Sequence, residues 1–191
     1  LAAAEEDGQR LTMDEVLGTV IILIGAGHET TANLVANGML ALMRHPEVYA
    51  RLRADNGLLP SVMEEMVRYA TPSPGQPRTA IEAVQVGERT IGAGEQVFVV
   101  LNACNRDPRV FADPERFDIE RPNNRDHITF TAGIHHCLGA VLARMEAGAL
   151  VRAVAERLGP LSMAHDTVTW RPTYVRSLTA LPVLHDRTGA Q

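Results

Sequence analysis

The sequence predicts a mainly α-helical fold with small antiparallel β-sheets. Three observations carry this: a Pro-free stretch over residues 16–43 that is apolar almost all round, two shorter Pro-initiated helical patterns behind it, and short alternating segments separated by Gly turns. With 191 residues the chain suffices for one ordinary domain, or for a large piece of a bigger one.

The first helix opens at Thr12-Met13-Asp14-Glu15, where Thr12 fits an N-cap and Glu15 can bond back to the cap backbone. Its all-round apolar character predicts burial along most of its length. The middle runs against that pattern, because Gly25, Gly27, His28, Glu29, Thr30 and Thr31 interrupt it. Each Gly costs about 1 kcal/mol relative to Ala in a helix interior. Such a local conflict marks a kink or a functional stretch.

Pro46 suits the first turn of a short helix ending near Arg53, and a further helix is predicted from about Pro60 to Ala70. Pro72, Pro74 and Pro77 forbid its continuation. Residues 79–86 then alternate in part, Gly87-Glu88 makes a turn, and residues 91–101 carry Gly92-Ala93-Gly94 followed by Val97-Phe98-Val99-Val100. Residues 102–127 are dense in Pro, Asp, Asn and Arg, too long a stretch for a mere connection, so they are expected to wrap part of the fold. Helix is predicted again over residues 138–158, and short strands over residues 168–184 around Arg171-Pro172.

Composition narrows the function classes. The formal charge of −5 is mild and the basic residues are dispersed, which argues against nucleic acid or a polybasic lipid anchor as a partner. No uninterrupted apolar run reaches the roughly 18 residues that span a bilayer. Two cysteines, Cys104 and Cys137, are too few for a disulfide scaffold. A soluble protein of the cytoplasm, without membrane contact, is the expectation.

The segment Phe130-Thr131-Ala132-Gly133-Ile134-His135-His136-Cys137-Leu138-Gly139 places one cysteine at the mouth of a predicted helix. Free backbone N–H groups at a helix start stabilise thiolate over thiol and can donate to a metal-bound sulfur. Gly133 permits a tight turn, Gly139 a close approach to a flat ligand, and Phe130 can shield the sulfur. These are the requirements of a thiolate-haem site. A cysteine without those neighbours would read as a small apolar residue.

This segment resembles the cysteine-ligand loop of the cytochromes P450, F-G-x-G-x-H/R-x-C-x-G, at Phe130, Gly133, His135, Cys137 and Gly139. Thr131 stands where that pattern has glycine. The resemblance implies that Cys137 is the protein ligand of a haem b iron and that His135 bonds a propionate.

Ala26-Gly27-His28-Glu29-Thr30-Thr31 is similar to the same family's oxygen-activating motif A-G-x-D/E-T-T. A mid-helix Thr hydroxyl can bond the carbonyl four residues back and open a groove there. The resemblance makes Glu29 and Thr30 the catalytic pair and places Ala26 beside the cofactor. Glu65-Met66-Val67-Arg68 follows the family's E-x-x-R, and Pro114-Glu115-Arg116-Phe117 resembles the segment that supplies a second Arg. Glu65, Arg68 and Arg116 are thus expected to form a buried structural network. Arg78 stands where the family sends an Arg to a propionate, which suits a dianionic ligand. Ile22, Gly25, Ala26, Pro74, Gln76, Tyr174 and Val175 correspond to residues facing the substrate pocket.

The implied protein is a monooxygenase that uses O2, a small organic substrate, and electrons from a ferredoxin and ferredoxin reductase. Such proteins are about twice as long, so residues 1–191 read as a single partial domain, the carboxy-terminal half of the cytochrome P450 fold. The other reading is a non-catalytic helper of the same fold, or an inactive remnant. Cys137 with Glu29 and Thr30 favours the enzyme; the length and Thr131 favour the alternative.

Overall fold

In the computed structural model, which describes residues 5, 6 and 8–185, the capping box forms as the sequence requires. The Thr12 amide donates to Glu15 Oε2 at 2.8 Å, and the Glu15 amide donates back to Thr12 Oγ1 at 3.3 Å. Ahead of it lies a short hairpin of β1 (Glu5–Glu6) and β2 (Gln9–Arg10). Behind it α1 runs unbroken from Met13 to Arg44.

Only the second half of α1 is buried, from Asn33 to Met43 with breaks. Ile21, Ile22 and Ile24 are 70%, 68% and 67% exposed, which corrects the expectation of burial along most of the helix. Burial depends on what packs against an apolar face, and the first half of α1 meets little among the described residues.

Short helices α2 (Pro46–Ala54) and α3 (Leu59–Tyr69) follow, each with Pro in its first turn. The core forms where α1, α2, α3 and α5 (Ala140–Arg157) converge, through Leu42, Leu52, Val62, Met66, Val67, Ala147 and Val151. Gly38 makes room for the buried Met66 side chain: a Cβ at this position would stand 1.9 Å from Met66 Cε, which would have to shift.

Strands β3 (Gln76–Thr79) and β6 (Gln96–Val99) pair antiparallel around the hairpin of β4 (Val84–Val86) and β5 (Arg89–Ile91). A single turn, α4 (Leu101–Cys104), opens the irregular stretch, which wraps α3 as expected. After α5, β7 (Leu161–Met163) pairs with β8 (Val183–His185). In the predicted strand region of the tail, an isolated bridge joins Trp170 to Leu178.

Candidate haem-thiolate site

Cys137 is exposed, in a turn that ends just before α5. The helix starts at Ala140 with Gly139 as its cap, two residues later than the pattern suggested. Cys137 thus precedes the helix mouth rather than joining its first turn. The Cys137 amide donates to the Phe130 carbonyl at 2.9 Å and closes the loop. A Cβ on Gly139 would lie 4.0 Å from Cys137 Sγ, so glycine keeps the flank of the sulfur clear.

The loop needs two left-handed residues, Thr131 at φ 60° and Gly133 at φ 66°. For glycine this costs nothing sterically, whereas a β-branched residue there stores about 1–3 kcal/mol. Thr131 offsets part of that with its own hydroxyl, which donates to the His135 carbonyl across the turn. The departure from the glycine pattern therefore leaves the turn formed and adds a bond across it.

In α1 the Thr30 hydroxyl donates to the Ala26 carbonyl at 2.7 Å, as mid-helix Thr does. Glu29 is exposed, Thr30 half-buried, and side chains built on Gly25 or Gly27 would meet nothing within 4 Å. This face of the helix is open. Arg78 lies in β3, where it donates to the Pro77 carbonyl at 2.8 Å, and the His135 ring is exposed.

Glu65 and Arg68 are fully buried and bidentate, with Nε to Oε2 at 2.8 Å and Nη2 to Oε1 at 2.7 Å. Arg68 also donates to the carbonyls of Asn105, Pro114 and Arg116 at 2.8, 3.0 and 3.1 Å, and the Asp118 amide donates to Glu65 Oε1 at 2.8 Å. The second Arg is Arg121, not Arg116. The Arg116 side chain is 67% exposed, while Arg121 Nε stands 3.6 Å from Glu65 Oε1 and its side chain is 4% exposed. The chain turns twice there, with the Arg116 amide donating to the Asp113 carbonyl at 3.1 Å and the Arg121 amide to the Asp118 carbonyl at 3.3 Å, and this path buries Phe117, Ile119 and Arg121 while leaving the Arg116 side chain outside. Arg121 also donates to the carbonyls of Ala112, Asp113 and Arg116. Arg121→Met is expected to cost about 3–5 kcal/mol, because it strands these acceptors and part of the Glu65 charge. Arg116→Met should stay within about 0.5 kcal/mol. Urea unfolding of the haem-loaded protein separates the two.

Residues 1–159 match the family model of cytochrome P450. The chain belongs to the cytochrome P450 family. It is 47% identical over 184 residues to the cytochrome P450 monooxygenase PikC of Streptomyces venezuelae, covering 94% of this chain and 44% of that protein. It is 41% identical to the biotin biosynthesis cytochrome P450 of Bacillus subtilis, covering 96% of this chain and 46% of that protein. The solved cytochrome P450 CYP109Q5 from Chondromyces apiculatus superposes with a TM-score of 0.93 at 40% identity, over 97% of this chain and 48% of that one. The chain spans about half the length of the curated relatives it matches.

Membership of the cytochrome P450 family implies a haem cofactor, and the residues present fit one. The Cys137 sulfur is exposed, Gly139 leaves its flank clear, and Leu138 beside it is 88% exposed. Of the expected pocket residues, Ile22, Gly25 and Ala26 lie exposed on α1, apart from a second group. That group is brought together: Tyr174 Oη donates to the Gly75 carbonyl, its ring stands edge-on to Phe98 at 6.3 Å, and the Arg176 amide donates to Pro72 at 2.7 Å. Pro74, Gln76, Tyr174 and Val175 thereby share one corner, and Asn37 Nδ2 ties it to α1 through the Arg176 carbonyl at 2.9 Å.

Two sets of residues escaped the sequence reading. Asn105, fully buried, donates to Thr71 and Thr129 at 2.9 and 2.7 Å and accepts the Ile128 amide at 2.9 Å. It fixes the approach to Phe130 from the side of Thr71. The other set is Glu64, His127 and Arg144, which meet across three elements.

Proposed function

We propose that this chain is the haem-holding, carboxy-terminal part of a bacterial monooxygenase that inserts one atom of O2 into a small organic substrate. The balance is substrate C–H plus O2, two electrons and two protons to C–OH plus water, with the electrons from a ferredoxin and its reductase. The observation that carries this reading is Cys137, exposed in a glycine-supported turn before a helix, in a chain that also holds Glu29 and Thr30 on an open helix face.

Haem b bound through Cys137 would supply the iron that activates dioxygen by reduction. The chain's own residues do the rest. Cys137 would offer the haem iron its sulfur from the glycine-supported loop just ahead of α5. Arg78 and His135 offer donors for the propionates. Thr30 carries a hydroxyl and Glu29 a carboxylate on the open stretch of α1, and there they would hold and pass the protons that reduction of dioxygen requires. Pro74, Gln76, Tyr174 and Val175, with Ile22, Gly25 and Ala26, would bound an apolar pocket with two polar handles, suited to a small apolar substrate.

By length and composition α1 is apolar enough to cross a membrane. Its buried half is built into the protein core, and its other half carries His28, Glu29, Thr30 and Thr31 at mid-helix. We therefore read it as internal to the protein, in a cytoplasmic enzyme.

The haem-loaded, reduced protein should give the strongly red-shifted carbon-monoxide band of thiolate ligation; a histidine-type band would end this reading. Thr30→Ala should keep consuming reducing equivalents while product per electron falls about tenfold and hydrogen peroxide rises. That follows if about 1.4 kcal/mol of hydrogen bonding directs the partition. Glu29→Gln should instead slow turnover overall, by about 10²-fold. Unchanged coupling in Thr30→Ala would return this Thr to its bond with Ala26.

A further inference from the structure

Glu64 on α3, His127 at the entrance to the cysteine loop and Arg144 on α5 form an ion triad that none of the site motifs contains. Arg144 donates to Glu64 through Nε at 2.8 Å and Nη2 at 3.1 Å, and His127 Nε2 stands 3.0 Å from Glu64 Oε2. The His127 and Glu64 side chains are 2% and 10% exposed. Burial alone would raise the Glu64 carboxyl, but hydrogen bonds from His127 and Arg144, and their charges, outweigh it and hold it down at about 2. Glu64 is thus a fixed anion.

The triad converges on one aromatic ring. The Arg144 guanidinium carbon lies 4.4 Å from the centroid of Phe130, and the His127 ring stands tilted to it at 5.9 Å. Arg144 Nη1 also donates to the Ala140 carbonyl at 3.2 Å, in the first turn of α5. Phe130 is therefore held at both ends, its ring by Arg144 and His127 and its carbonyl by the Cys137 amide. The same guanidinium grips the helix mouth that Cys137 precedes.

We propose that Arg144 and His127 are positioning residues for the Cys137 thiolate, acting through Phe130 and the start of α5 to set its charge environment and its shielding from water. This rests on the haem-thiolate reading above. A guanidinium against the ring that shields an anionic sulfur stabilises the reduced, more negative site. Its removal also leaves Glu64 less compensated. Both effects lower the reduction potential. Loosening of Phe130 admits water to the sulfur and favours loss of thiolate ligation.

The test compares Arg144→Met, Arg144→Lys and His127→Phe with Arg152→Met, a control on the same helix, in the haem-loaded protein. The ferric–ferrous midpoint, the ratio of thiolate to non-thiolate carbon-monoxide bands, and the melting temperature are all measured. Arg144→Met should lower the midpoint by about tenfold in the ferric-to-ferrous equilibrium, about 59 mV for one electron, and raise the non-thiolate share. Arg144→Lys should recover most of the potential because it keeps the charge. His127→Phe should raise the non-thiolate share, and this holds as the test if Arg144→Met does not load haem. Arg152→Met should change neither spectrum nor potential. If the triad variants lower the melting temperature yet leave potential and band ratio where they were, the role is structural and the proposal falls. A wild-type protein that has taken up haem, co-expressed with the amino-terminal half of a relative, yet shows no thiolate band overturns the haem-thiolate reading and the proposal with it.

Discussion

Cys137→Ala is expected to abolish the red-shifted carbon-monoxide band completely while leaving the fold intact. The side chain is exposed and its sulfur makes no hydrogen bond among the described residues, so truncation to Ala falls in the range of ordinary surface changes, within about 0.5 kcal/mol. The loop's own restraints survive, since the Cys137 amide still reaches the Phe130 carbonyl and Thr131 still reaches His135. Loss of the band would then report lost ligation, not unfolding. Cys104 is half-buried after β6, in the turn that the Asn105 amide closes on Leu101, and does not stand in for Cys137. His135 and His136 are exposed in the same loop, so any haem retained by the variant should show a histidine-type or ligand-poor spectrum. A persistent thiolate band would move the ligand elsewhere and remove the central assignment.

What could be read from the sequence was local. The capping box at Thr12, the Pro residues that start α2 and α3, and the Thr30 bond to Ala26 depend on neighbours within about four residues, and each is found where the pattern puts it. Arg121 was not legible, because the turns closed by the Arg116 and Arg121 amides decide which Arg points inward, and the match to Pro114-Glu115-Arg116-Phe117 pointed to the Arg five residues earlier. Glu64, His127 and Arg144 were out of reach, being 63 and 80 residues apart along the chain and unremarkable in isolation. Burial of α1 failed for the opposite reason. Its pattern is local, but burial needs a second surface, and the first half of α1 meets little among the described residues.

That uncovered surface leads to the largest effect expected of the chain on its own: residues 1–191 expressed alone should aggregate and take up haem poorly. Ile21, Ile22 and Ile24 on α1 are joined in exposure by Leu138, Val141, Leu142 and Met145 around the start of α5, which are 88%, 70%, 57% and 65% exposed. Monomers rarely tolerate a contiguous apolar patch beyond a few hundred Å². At about 25 cal/mol per Å², leaving about 400 Å² uncovered forgoes on the order of 10 kcal/mol, comparable to the whole net stability of a domain at about 5–15 kcal/mol. The relatives matched here are about twice as long, so the amino-terminal half of such a relative is the expected cover. Co-expression with that half should give a soluble, haem-loaded complex, measured by light scattering and by the reduced carbon-monoxide spectrum. Val141→Glu with Leu142→Glu should then act in two directions, making the isolated chain more soluble while blocking the complex, because a buried unpaired carboxylate costs several kcal/mol where a surface one costs nothing. An isolated chain that is monomeric, melts cooperatively and holds haem would show that this face is stable in water and that the fold closes without a second half.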